Sequence, residues 1–97
     1  MEPVCRIEIV IDAPHVPQVI ALLERHGLTG YSLIHGVTGS GERGRRLGDE
    51  LTSVSSNSYL LTTCPPESLE AVAADLRPLL VQVGGMCLVS DARALKH

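Results

Sequence analysis

The chain contains no tryptophan and no phenylalanine, and its only aromatic rings beyond histidine are Tyr31 and Tyr59. A core anchored on large rings is therefore excluded, and there is no row of aromatics on which unpaired nucleic-acid bases could stack. Positive charge is not in excess: the formal net charge is -3 and the isoelectric point about 5.7, which argues against nucleic acid as a partner. Cys5, Cys64 and Cys87 are odd in number and form no C-x-x-C, so neither a disulfide framework nor a zinc site is expected. They read instead as buried thiols packing as small apolar groups. His15, His26, His35 and His97 share no metal-ligand spacing. No apolar run approaches the length that crosses a bilayer, and no charged segment leads into an apolar leader, so a cytoplasmic protein is expected.

A length of 97 residues and a hydrophobic share of 44% point to one folded domain over residues 1–97, with a core of Val, Ile, Leu and Ala. A domain of this size buries a modest share of its surface and gains from oligomerising. No internal repeat or low-complexity tract is present.

Cys5, Ile7, Ile9 and Ile11 alternate with Arg6, Glu8, Val10 and Asp12, the period of a strand with one face toward a core. Pro14 and Pro17 suit the first turn of a helix, whose apolar stripe is Val16, Val19, Ile20 and Leu23 and whose end is Gly27. A second strand is expected from Gly30 to about Gly36, and a third from about Val54 to Thr63, stopped by Cys64-Pro-Pro66. A second helix begins at Glu67, carries the stripe Leu69, Val72, Ala73 and Leu76, and is expected to kink at Pro78. Gly84-Gly85 ends it and opens a fourth strand from Met86 to Ser90, leaving Asp91 to His97 as a tail. The order β-α-β-β-α-β closes into an α+β ferredoxin-like sandwich, a four-stranded antiparallel sheet with both helices on one face. The opposite face, carrying residues such as Val10 and Ile34, is apolar enough to prefer a partner sheet to water. A closed homo-oligomer with ligand sites in its subunit clefts is expected.

Between the second and third strands lies Gly36-Val-Thr-Gly-Ser-Gly-Glu-Arg-Gly-Arg-Arg-Leu-Gly48, with five of the nine glycines and three of the eight basic residues. A long connection of that composition cannot build a core, and loops of this kind commonly carry function. Gly39-Ser-Gly41-Glu-Arg-Gly44 matches G-x-G-x-x-G literally, but no periodic helix follows, so a dinucleotide fold is not expected. The glycine spacing of a Walker A loop is also present, yet Arg45-Arg46 stand where Lys-Ser/Thr would be. What both patterns share remains: glycines let backbone N–H groups approach an anion, and guanidinium groups clamp it. On composition alone, the arginines could equally form a solvated loop paired with Glu42, Asp49 and Glu50.

Gly30-Tyr31-Ser32, Gly39-x-Gly41 at the loop base, the long loop, and Gly84-Gly85 before the last strand resemble the P-II family of signalling proteins. The resemblance spans nearly the whole chain. It implies ferredoxin-like subunits in a homotrimer, an adenine nucleotide in each intersubunit cleft, and a loop that reports the bound state to a protein target. Ser32 stands where the family usually has a Thr beside the nucleotide, Gly39 and Gly41 at the loop-base glycines near the phosphates, and Arg43 in place of a loop-base Gln. Gly84 and Gly85 match the second phosphate-facing loop, while Arg45 and Arg46 could contact ligand or partner.

Departures from the pattern are the missing Gly-Lys pair after the second loop, the missing C-terminal arm with paired arginines, and the missing Tyr at the loop tip. They count against tight ATP-Mg²⁺ binding and 2-oxoglutarate sensing. Arg43-Gly-Arg-Arg-Leu-Gly-Asp-Glu50 with Cys64-Pro-Pro-Glu67 is more similar to P-II-like proteins linked to inorganic-carbon uptake and carboxysomes. That likeness implies ADP or AMP as ligand ahead of ATP, bicarbonate as a second ligand, and a bicarbonate transporter as the protein target. The competing reading is a small ferredoxin-like enzyme or a metal-binding trimer with a cleft active site. No His, Asp or Glu is marked out by a paired partner for acid–base work, and a non-enzymatic regulator is expected.

Overall fold

The computed structural model describes residues 1–38 and 57–95. Strand β1 spans Glu2–Asp12, and its inward residues Cys5, Ile7, Ile9 and Ile11 are buried, as their alternation predicts. The chain then tightens into a 3-10 turn, Ala13–His15, where the His15 ring Nδ1 lies 2.7 Å from Asp12 Oδ1. Helix α1 follows over Val16–Arg25, with Pro17 in its first turn, where no N–H is needed. It buries Val16, Val19, Leu22 and Leu23, a continuous apolar face. Its end is a Schellman motif: Leu28 N–H donates to Leu23 O at 3.0 Å and Gly27 N–H to Glu24 O at 2.9 Å. Gly27 takes φ 77°, the left-handed conformation that glycine adopts without a Cβ clash.

Strand β2 is Tyr31–His35 and β3 is Asn57–Cys64. The part of the expected third strand before Asn57 lies outside the described residues. Pro65 and Pro66 end β3, and a 3-10 turn over Pro66–Ser68 precedes helix α2, Leu69–Val83. The helix thus begins two residues after the predicted Glu67, because the Pro66 ring sets up a tighter first turn. Pro78 lies within this helix, which continues to Val83.

Strand β4 runs Met86–Ala94, four residues beyond the predicted stop at Ser90. Asp91 to Ala94 do not form a tail: they pair with Cys5, Val4, Pro3 and Glu2 of the long first strand. The sheet order is β2-β3-β1-β4, and every neighbouring pair is antiparallel.

Both helices cover one sheet face. The core there joins Cys5, Ile7, Ile9 and Ile11 to Leu60 and Cys64 of β3, Val19, Leu22 and Leu23 of α1, and Val72 and Leu76 of α2. Burying each large aliphatic side chain is worth roughly 1.5–3 kcal/mol, so this cluster dominates stability. Two polar residues enter it with partners: Thr62 Oγ1 donates to Gly30 O at 2.6 Å, and Ser58 Oγ lies 2.8 Å from His35 Nδ1.

Candidate functional site

Strand register places the two glycine-bearing connections at the same end of the sheet. Asp12 pairs with Asn57 at the start of β3, and Val10 pairs with Met86 at the start of β4. The β2-to-β3 connection and the Gly84-Gly85 turn therefore emerge at one edge, separated by β1 and hence by roughly 10 Å, two strand spacings.

At the loop base, Gly36 takes φ 78°, and both Gly36 N–H and Val37 N–H donate to Asn57 O, at 2.9 and 3.0 Å. One carbonyl thus pins the departing strand against the returning one. His35, exposed beside it, holds the buried Ser58 hydroxyl. Gly39, Gly41, Arg43, Arg45 and Arg46, the loop residues singled out from sequence, lie outside the described residues.

At the second connection Gly84 caps α2 with φ 83°, and its N–H donates to Leu80 O at 2.8 Å. That N–H is already used by the helix cap. Gly85 is required by close packing: a Cβ there would stand 2.8 Å from Leu80 Cδ2, 3.0 Å from Val10 O and 3.3 Å from Ile11 Cγ1. The absent side chain lets the start of β4 lie directly against β1.

Ser32 lies on the open face of the sheet, opposite Leu61. The same face carries Ile34, Tyr59, Val10 and Met86 in one register row and Ser32, Leu61, Glu8 and Leu88 in the next. Ile34, Met86 and Leu88 are 57%, 49% and 55% exposed, so the face is apolar and uncovered in the single chain. A polar cluster crosses it: Tyr59 hydroxyl donates to Glu8 Oε2 at 2.6 Å, Arg6 Nε donates to Ser90 Oγ at 3.1 Å, and Arg6 Nε is 3.6 Å from Glu8 Oε1. The hydrogen bond to Glu8 chiefly pushes the Tyr59 phenol above its ordinary range, with burial and the Glu8 charge adding to it and Arg6 opposing.

The structure thus brings the loop base and Gly84-Gly85 to one edge and sets Ser32 on the adjoining open face. Sequence reasoning missed the Asn57 carbonyl clamp and the Glu8–Tyr59 bond. The period of two does place Glu8 on the outward face, but cross-strand register is needed to bring Tyr59 to it. Among the described residues no group of His, Cys, Asp and Glu is arranged to hold a metal ion. No helix among them is long and apolar enough to cross a membrane.

An antiparallel four-stranded sheet with two helices on one face, and with glycine-bearing connections meeting at one edge, defines a ferredoxin-like fold of the PII class. The chain belongs to the P-II family, for the model of nitrogen regulatory protein P-II matches residues 4–97. No curated protein sequence matches it. Among solved structures, it is similar to CPII, a nitrogen regulatory PII-like protein from Thiomonas intermedia K12, bound to ADP, AMP and bicarbonate. The TM-score is 0.83 at 21% identity, covering 97% of this chain and 90% of that one. CPII bound to ADP, AMP and acetate gives a TM-score of 0.81 at 19% identity, covering 98% and 91%. A candidate PII-like signaling protein from Thermus thermophilus gives 0.76 at 19%, covering 97% and 91%. At these identities the likeness is one of fold.

Proposed function

We propose that this protein is a homotrimeric P-II-like regulator. It binds an adenine nucleotide, ADP or AMP ahead of ATP, between subunits and signals through the segment joining β2 and β3. The observation that carries this reading is the convergence of the β2-to-β3 connection and the Gly84-Gly85 turn at one sheet edge. Gly39, Gly41 and Gly85 would bring backbone close to phosphate, Gly84 would hold the turn through its left-handed conformation, and Arg43 would supply charge with Arg45 and Arg46 nearby. Ser32 would hydrogen-bond close by, from the face that a neighbouring subunit covers. The uncovered rows around Ile34, Met86 and Leu88 support the trimer, because apolar surface of that kind is stabilised by burial against a copy of itself.

Nucleotide would alter a partner's state by fitting one loop arrangement better than another, with no turnover required. ADP, AMP and bicarbonate in the CPII structures support the same ligands here. Bicarbonate as second ligand, a bicarbonate transporter as protein target, a part in inorganic-carbon uptake and a cytoplasmic site of action complete the reading.

Calorimetric titration of ADP and of AMP into the protein is the test, with saturable binding of one nucleotide per subunit expected. Arg43→Ala should weaken ADP binding by about tenfold, the loss of one charge-assisted hydrogen bond of roughly 1.5 kcal/mol, and leave the oligomer intact. Absence of binding by ADP, AMP and ATP alike would refute the reading. Bicarbonate added to the ADP-loaded protein should change nucleotide affinity beyond the effect of equal ionic strength.

A further inference from the structure

We propose that Cys5 and Cys64 form a peroxide-responsive dithiol, which oxidation closes into a disulfide joining β1 to β3. The two residues are direct cross-strand partners in the antiparallel ladder, and both face the core, at 4% and 2% exposure. Residues directly opposite in such a ladder have Cα atoms about 4.5 or 5.5 Å apart, according to their hydrogen-bonding position. Both values fall inside the roughly 4.4–6.8 Å window that a disulfide spans. Strand pairing thus creates a dithiol from cysteines that are far apart in the sequence.

Cys64 also borders the outer surface of the fold. It forms part of the wall of a concavity of about 330 Å³ lined by Glu2, Pro3, Val4, Thr63, Cys64, Pro65, Pro66 and Glu67. The near-complete burial of both thiols favours a small, uncharged oxidant over a bulky charged disulfide, and hydrogen peroxide has that chemistry. In the first step the Cys64 sulfur attacks one peroxide oxygen, breaking the O–O bond and giving a sulfenic acid and one water. In the second the Cys5 sulfur attacks the sulfenic sulfur, forming S–S and releasing a second water. Two thiols are oxidised by two electrons, and one peroxide is reduced to two waters.

Burial, with the neighbouring Cys5 and Glu67 adding to it, pushes the Cys64 thiol up, so reaction at neutral pH is slow and follows sustained exposure. Cys87 has no such partner. It pairs with Ile9 on the far side of β1, four positions along from Cys5 and so roughly 13 Å away along the strand.

The full-length protein, incubated with hydrogen peroxide, denatured and alkylated, tests this directly. The alkylatable thiols should fall from three to one per chain and return to three after dithiothreitol. Cleavage after glutamate separates the cysteines onto peptides 1–8, 51–67 and 71–97, because the Glu2–Pro3 bond is not cut, so mass spectrometry should find the first two crosslinked. Three thiols retained, a bond that includes Cys87, a bond between chains, or sulfinic acid without crosslink would each overturn the proposal. Cys87→Ser should lose both remaining thiols in parallel with the wild type, while Cys5→Ser should form no crosslink within the chain. Should Cys5→Ser fail to fold, the wild-type peptide map and Cys87→Ser decide the matter alone.

Discussion

The Tyr59 hydroxyl donates to Glu8 Oε2 at 2.6 Å across the β1–β3 ladder, one register step apart on the open sheet face. The neutral phenol makes that bond, whereas a phenolate would face the carboxylate charge, so ionisation of Tyr59 is displaced upward from 10.0. In Tyr31→Phe, which leaves Tyr59 as the single tyrosine, ultraviolet titration should show phenolate forming above the ordinary tyrosine range. Adding Glu8→Gln should bring that titration down, and an unmoved curve would assign the shift elsewhere.

Gly85→Ala should destabilise the fold by about 1–3 kcal/mol in urea unfolding. The added Cβ meets Leu80 Cδ2 at 2.8 Å, which a rotamer change could relieve, and the Val10 carbonyl at 3.0 Å, which it could not. Leu80→Ala in the same chain should recover only part of the loss.

Ile34→Asp should leave the subunit folded and abolish the proposed trimer, measured by sedimentation. Ile34 is 57% exposed in the single chain and takes no part in the helix-covered core, so its replacement costs the subunit little. In an assembled sheet face, three unpaired carboxylates would each be buried at several kcal/mol. A trimer that survives this change would move the subunit interface to another surface.

Stability should decline above about pH 8.5, the ordinary thiol range. Cys64 and Cys87 are both pushed up by burial, with Cys5 and Glu67 adding to the shift of Cys64. In the unfolded chain these thiols ionise first, so above their unfolded pKa values the native state holds more protons and rising pH favours unfolding. The contribution is fully present below the unfolded pKa and is lost as pH rises through the folded one. Urea midpoints should be flat from neutral to about pH 8 and fall toward about pH 10, and the fall should be smaller in Cys64→Ala with Cys87→Ala.

Much of the scaffold could be read from local pattern. The period of two in Cys5, Ile7, Ile9 and Ile11 set the buried face of β1, and Gly27 marked the end of α1, because side-chain alternation and left-handed caps are properties of a few neighbouring residues. The end of β4 had no such signal. Asp91, Ala92, Arg93 and Ala94 look like a polar tail, and they form a strand because the far end of β1 offers them hydrogen-bond partners. Similarly, Pro66 displaced the start of α2 by one short turn that the apolar stripe beginning at Leu69 could not report.

For the candidate site, sequence and tertiary structure divided the work. The glycines at 84 and 85 and the outward position of Ile34 were legible from order and spacing, while Ser32 was singled out by resemblance and placed on that face by the register. That Gly84 spends its N–H on Leu80, and that Gly85 is glycine because Val10 and Leu80 press on it, depended on contacts between distant segments.

By itself the sequence determined the succession of strands and helices, the aliphatic identity of the core, and membership in a family with a long glycine-rich connection. The first two follow from short-range periodicity, backbone conformational preference and residue type, and the last from the likeness of its motifs to the family's along residues 4–97. Only the tertiary structure decided which ends of the strands meet, that the Asn57 carbonyl closes the loop base, and that Cys5 faces Cys64. Cross-strand register is a relation between residues far apart in the chain. It is fixed by the best joint burial of whole faces and by no local signal.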